Sequence, residues 1–207
     1  MWRMEDVLDV YAQPYDPLRP QVCLDERPCV LHADKVQPLP LKPGQPVRYD
    51  YEYERHGSCN VFIAFQPLLG WRYTQVTARR TSTDFAHFLR ELVDVHFPQA
   101  QVIRVVLDNL NTHTFAALYT AFTPDEARRL ARKLEFHYTP KHASWLNMVE
   151  IELSVLVKQC LNRRIPDIVC LRREVLAWQL ARNAQHATIR WCFNLSDARS
   201  RLTRFYP

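Results

Sequence analysis

Apolar and polar positions along the chain fall into short runs of two distinct periods. Val102, Ile103, Val105, Val106 and Leu107 form a β-branched run that predicts a strand buried on both faces. It stops at Asp108, and Asn109, Asn111, Thr112 and His113 follow, all turn and capping types. An acid at the carboxyl end of a buried strand sits where α/β sheets expose their chemistry, or else it caps the next helix. Residues 22–32 read as another strand, interrupted by Asp25 and Glu26, with Pro28 forcing a bulge or an edge. An acid inside an otherwise buried strand is costly unless it is metal-bound or paired, here with an arginine such as Arg27. Three further strands are predicted at 47–53, 58–66 and 71–77, with hairpin-like breaks at 55–57 and 67–70. In the first of them Tyr49, Tyr51 and Tyr53 alternate with Asp50, Glu52 and Glu54, a period of two that puts the acids on one face, as a solvated sheet face or else a metal cluster.

The helical period appears elsewhere. Residues 81–97 carry Phe85, Phe88, Leu89, Leu92, Val93 and His96 on one face behind a cap at Ser82 or Thr83. A short helix at 115–122 precedes a second one opened by Thr123 and Pro124, which displays Arg128, Arg129, Arg132 and Lys133. Residues 134–138 read as the last strand, 139–144 as a loop, and 145–161, 167–185 and 196–205 as helices. At the amino end, a short helix at 2–11 leads into Pro14, Pro17 and Pro20, so 1–21 read as a linker remnant before a domain spanning 22–207. This order of elements predicts an α/β protein with a mixed sheet of about five strands, the first three antiparallel, flanked by helices.

Composition narrows the chemistry. Three glycines exclude a glycine-rich phosphate loop. The six cysteines contain no CxxC pair, which removes a zinc site and leaves them as small core residues in a reducing compartment. No apolar run approaches the ~20 residues of a membrane helix and no signal peptide opens the chain, so a cytoplasmic protein is expected. A net charge of +5 is compatible with a polyanionic partner without requiring one. No serine sits on a sharp strand-to-helix turn, so a Ser/His/Asp triad has no support.

In the helix from Trp145, two acids compete. Measured from the stripe Leu146, Val149, Leu153, Leu156, Val157 and Cys160, Glu150 lies about 70° away and Glu152 about 90° on the other margin. Periodicity leaves them nearly tied.

VLDNLNTHT, followed by HYTPKHASWLNMVEIELSVL, resembles the catalytic core of bacterial insertion-sequence transposases of the mariner superfamily. The signature there is Asp-Asn after a strand, then Pro-x-x-Ser-x-x-Asn-x-x-Glu entering a helix. Pro140, Ser144, Asn147 and Glu150 stand at those positions, with Pro140 one residue further out. CLDE at 23–26 resembles the first acid motif, and the likeness runs on through RYDYEYERHG and GWR to RFYP. The resemblance implies a ribonuclease-H-like fold in which Asp25, Asp108 and Glu150 converge to hold two Mg²⁺ ions, with Mn²⁺ as substitute. It implies DNA cleavage at an element's ends by water, then attack of the freed 3′-hydroxyl on target DNA, typically at TA. The partners implied are the terminal repeats, target DNA and a second copy of the chain, in the cytoplasm at a bacterial nucleoid. Asn109, His113, Lys141, His142, Asn147, Arg128 and Arg132 are candidates for DNA contact, although turn, capping or surface roles compete at each, and Asn147 also suits locking the helix start. Two departures stand out. The 41 residues between Asp108 and Glu150 exceed the usual spacing, and Met1 lies only 24 residues before Asp25, leaving no amino-terminal helix-turn-helix. The alternatives are an inactive remnant that binds DNA or a partner transposase, and a structure-selective nuclease of the same fold.

Overall fold

A computed structural model describes every residue except Leu41, Val47, Tyr49, Tyr206 and Pro207, together with the side chain of Phe205. Helix α1 (Trp2–Ala12) precedes β1 (Gln21–Asp34), which pairs antiparallel with β2 (Tyr53–Gln66), and β3 (Trp71–Thr77) pairs antiparallel with β2. Helix α2 (Ser82–Glu91) continues into a wide turn over Leu92–His96 and leads to β4 (Ile103–Leu107), parallel to β1. Helices α3 (Ala116–Ala121) and α4 (Pro124–Ala131) return the chain to β5 (Leu134–Tyr138), parallel to β4. Helices α5 (Val149–Leu156), α6 (Ile168–Ala184) and α7 (Leu195–Arg201) follow. The sheet order is β3-β2-β1-β4-β5, a mixed sheet whose first three strands are antiparallel, as expected.

The period of two in the strands divides the core. Val22, Leu24, Phe62, Ala64, Val105 and Leu107 face α2, α3 and α4, while Cys23, Val61, Ile63, Phe65 and Val106 face α1, α5 and α6. Every residue of β4 is buried, which is what an unbroken β-branched run between two helical layers requires. Phe85, Phe88 and Leu89 of α2 are completely enclosed, each worth about 1.5–3 kcal/mol of apolar burial. Thr81 and Asp84 cap that helix reciprocally, one residue before the cap expected from the sequence. Among the described residues no helix is long and apolar enough to cross a membrane.

Three expectations need correction. The break at 55–57 is not a turn: β2 runs through it with a bulge, Val30 pairing with Ser58 and His32 with Arg55, so that Leu31 faces two residues. Gly57 supplies the positive φ (+96°) at that point. Of the strand expected at 47–53, Val47 and Tyr49 lie outside the described residues, Asp50 to Glu52 are not strand, and Arg48 makes only an isolated bridge to Leu39. The last two residues of RFYP also lie outside them.

Third, residues 1–21 are no linker remnant. Met4, Val7, Leu8 and Val10 of α1 are buried in the same core cluster as α5 and α6. Tyr11 donates to the Leu146 carbonyl (2.8 Å), and Asp6 meets His137 of β5 (2.9 Å). The proline-rich lead-in is strapped to the start of β4, Leu18 and Pro20 accepting from Gln101 and Arg104 (2.8 and 2.9 Å).

Candidate active site

Parallel pairing of β1 with β4 sets the site. Cys23 stands opposite Val106, so two residues further on Asp25 and Asp108 come side by side and leave the sheet on the same face. The third carboxylate arrives on α5. That helix does not begin at Trp145 as expected: a 3₁₀ turn over Ser144–Leu146 ends at Asn147, and α5 starts two residues later. Asn147, 1% exposed, donates to the Leu24 carbonyl (3.0 Å) and accepts from the Val149 amide (3.3 Å). Tyr11 holds the same corner, accepting from the Met148 amide (3.3 Å). Glu150, in the first turn of α5, is thereby stitched to β1 at the residue beside Asp25. Asp25, Asp108 and Glu150 line one cleft of about 270 Å³, together with Glu26, Arg27, Arg80 and Leu110. A larger cleft of about 470 Å³ lies between α1 and β5, but there Asp6 and Glu135 are already engaged by His137 (2.9 and 3.0 Å).

Charge is unevenly settled in the cleft. Burial pushes the Asp25 carboxyl up to about 7; the Glu26 amide (2.8 Å) opposes this, and the neighbouring Asp108, Glu26 and Glu150 add to the rise. Burial also works against ionised Asp108, but hydrogen bonds from His113 Nδ1 (2.7 Å) and the Leu110 amide (3.0 Å), with Arg80 nearby, hold it below the ordinary range. His113 is itself fully buried; burial disfavours its cation, yet Asp108 and Glu26 raise it to about 9. Its Nε2 lies 2.9 Å from Glu26, an ion-pair contact whose angle falls short of an aligned hydrogen bond. Asp25 and Glu150 form no ion pair among the described residues, although two arginines line the same cleft.

Glu152 is differently placed. Its side chain is 1% exposed and lies 3.0 Å from Arg72 of β3 and 2.8 Å from Arg182 of α6. The tie that periodicity left between the two glutamates is therefore broken geometrically: Glu150 opens into the cleft and Glu152 is closed by two guanidinium groups. Among the described residues no three Asp, Glu, His or Cys side chains clasp an ion by themselves.

Residues 20–172 match the family model of the DDE superfamily endonucleases. The chain belongs to that family. Similar solved structures are the Mos1 strand transfer complex (16% identity, TM-score 0.60, 89% of this chain and 54% of that one) and the Mos1 mariner paired end complex with Mn (16%, 0.59, 90% and 57%). The mariner Mos1 paired end complex with Mg is similar too (15%, 0.53, 89% and 57%). At this identity the likeness is one of fold, ribonuclease-H-like as the motifs implied, and the chain spans little more than half the length of these relatives. No curated protein sequence matches the chain.

Around the carboxylates of this DDE endonuclease domain, the residues expected to meet DNA separate. Lys141 and His142 are exposed on the loop after β5, at the same edge as Asp108, since Thr139 donates to the Leu107 carbonyl. Asn109 is exposed there as well; it donates to the Thr139 carbonyl (2.6 Å) and accepts from Arg3 of α1. Two expectations are corrected. His113 and Asn147 have no surface to offer a phosphate and act inside the fold. Arg128 and Arg132 are exposed on α4, which packs on the α2 side of the sheet. That helix ends where Lys133 meets Ile103, a strand length from Asp108, about 16 Å at ~3.3 Å per residue. The residues not anticipated as part of the cleft are Arg80 and Glu26. Alternation along β1 sends Glu26 to the face opposite Asp25, a signal present in the sequence once Asp25 is chosen.

Proposed function

We propose that the chain is the catalytic domain of a DDE transposase, with α1 as an integral part of it. It would cut DNA at the ends of a mobile element and join the freed 3′ end to target DNA. The observation that carries this reading is the convergence of Asp25, Asp108 and Glu150 on one cleft from β1, β4 and α5. A cleft that crowds three carboxylates and raises Asp25 to about 7 suits divalent cations. Mg²⁺ asks for one or two carboxylates plus phosphate oxygens and water rather than a closed protein cage, which fits this donor set. Asp25 and Asp108 would be shared ligands and Glu150 would complete one shell; two ions bound there would activate the attacking oxygen and stabilise the leaving one. Mn²⁺ would substitute for Mg²⁺.

The chain's own residues supply the rest. Asn147 and Tyr11 fix where Glu150 stands, His113 orients Asp108, and Lys141, His142 and Asn109 present donors at the rim. The chain would act as a pair across two element ends, at the nucleoid of a bacterial cytoplasm.

The test is nicking of a supercoiled plasmid with Mg²⁺ or Mn²⁺. Open circles should form with metal and not with EDTA, and Asp108→Ala should abolish them. Nicking that survives Asp108→Ala overturns the proposal.

A further inference from the structure

We propose that Glu26 is a positioning residue that governs both walls of the cleft: one carboxylate oxygen braces His113 against Asp108, and the other aims Arg80 at the phosphodiester. This rests on the reading of the cleft as a phosphodiester-cleaving site and assigns a role within it to a fourth carboxylate.

Glu26 leaves β1 on the face opposite Asp25, toward Phe62 and Phe85, where a lone carboxylate would be strongly unfavourable. Its side chain is 3% exposed and has a cation on each side: Oε2 lies 2.9 Å from His113 Nε2, and Oε1 lies 3.4 Å from Arg80. His113 continues the chain, its Nδ1 2.7 Å from Asp108, with the Phe85 ring packed against its face at 4.6 Å. An imidazole lying between two carboxylates is favoured as its cation, which both attract, although only Nδ1 makes an aligned hydrogen bond. Arg80, Glu26, His113 and Asp108 thus alternate in sign from the rim of the cleft to its centre.

The arrangement solves a particular problem. Arg80 is about half exposed and lines the cleft, close enough to Asp108 to stabilise its charge. Left alone, its guanidinium would be drawn onto Asp25 or Glu150, which form no ion pair among the described residues, and would neutralise the ligand set. Glu26 is the one carboxylate in ion-pair range of Arg80 among the described residues, and it restrains the side chain from behind. The guanidinium keeps its remaining donors for a phosphate, which it can meet in bidentate fashion.

The experiment measures Mn²⁺ affinity of the full chain by electron paramagnetic resonance, and kcat and KM for Mn²⁺-dependent plasmid nicking. Glu26→Gln should weaken Mn²⁺ binding roughly 10-fold or more, as losses behind a metal ligand do. It should also raise KM for DNA. Arg80→Ala should raise KM severalfold while Mn²⁺ affinity stays unchanged. Glu26→Asp, which keeps the charge but packs worse, should recover Mn²⁺ affinity relative to Gln; a packing role alone makes Asp no better than Gln. Should Glu26→Gln not fold, Arg80→Ala and Glu26→Asp carry the test. Wild-type values in Glu26→Gln, an Asp variant no better than Gln, or an Arg80→Ala variant with unchanged KM overturn this inference and leave the cleft reading intact. A wild type that neither binds Mn²⁺ nor nicks overturns the cleft reading, and this inference with it.

Discussion

Glu150 and Glu152 stand two residues apart on one helix, and exchanging each for glutamine should have opposite consequences. Glu152 is enclosed between Arg182 (2.8 Å) and Arg72 (3.0 Å). The Arg72 guanidinium is fully buried; its other contacts are the carbonyls of Gly70 and Ala187 (2.9 and 2.7 Å), Asn183 Oδ1 (3.2 Å) and the Phe65 ring (5.0 Å). Burial lowers the Arg72 pKa and the Glu152 charge works to restore it. Glutamine would leave a buried cation among neutral oxygens. Breaking one side of a buried ion pair costs about 3–5 kcal/mol. For a chain of 207 residues, an unfolding entropy of ~2.1 cal/mol/K per residue gives about 0.43 kcal/mol/K, so Tm should fall by roughly 7–12 °C.

Glu150→Gln removes no ion pair or hydrogen bond formed among the described residues, and it relieves part of the repulsion that raises Asp25. Its stability in EDTA should stay within about 0.5 kcal/mol of wild type, while metal-dependent nicking is lost. Thermal melts in EDTA and plasmid nicking on the same preparations separate the two. A Glu152→Gln protein melting within about 2 °C of wild type, or a Glu150→Gln protein melting as low as the expected Glu152 variant, refutes the assignment of one glutamate to the core and the other to the cleft.

Two other substitutions probe the frame. A Cβ on Gly70 (φ +64°) would lie 2.5 Å from the His186 carbonyl carbon and 2.7 Å from the Ala187 nitrogen, whereas one on Gly57 (φ +96°) meets nothing within 4 Å. In urea, Gly57→Ala should lose only the backbone penalty of about 1–2 kcal/mol and Gly70→Ala clearly more; equal losses would show that β3 and the 186–187 segment are not in contact. Leu8 of α1 is 3% exposed, so Leu8→Ala should cost about 2–5 kcal/mol, and a change below about 0.5 kcal/mol would return α1 to the status of a linker.

What could be read from the chain alone follows the reach of each interaction. β4 was legible because burial on both faces leaves an unbroken apolar run, and α4 because Pro124 at its first turn is a local signal. α1 was misjudged because Met4, Val7, Leu8 and Tyr11 form a stripe only against partners far along the chain, such as Leu146. The bulge at Gly57 resembles a hairpin break until the opposing strand is known to continue past it. In the site, Asp108 announced itself by ending a strand. Helical period left Glu150 and Glu152 nearly tied and only the resemblance named Glu150, because Arg72 and Arg182, which enclose Glu152, lie far along the chain. His113 looked like a surface residue because its burial depends on Phe85, contributed by a helix that precedes β4.

Five acids of the cleft and of α5 differ in what the fold does with their charge. Glu152 has two arginines, Glu26 has His113 and Arg80, and Asp108 has His113. Asp25 and Glu150 form no ion pair among the described residues, although Arg27 and Arg80 share their cleft. Burial is the main reason Asp25 is raised to about 7, and the neighbouring Asp108, Glu26 and Glu150 add to it, so that ionising Asp25 works against stability. On the proposed function, divalent cations would offset the charge of Asp25 and Glu150, and on the further inference Glu26 would keep Arg80 from doing so.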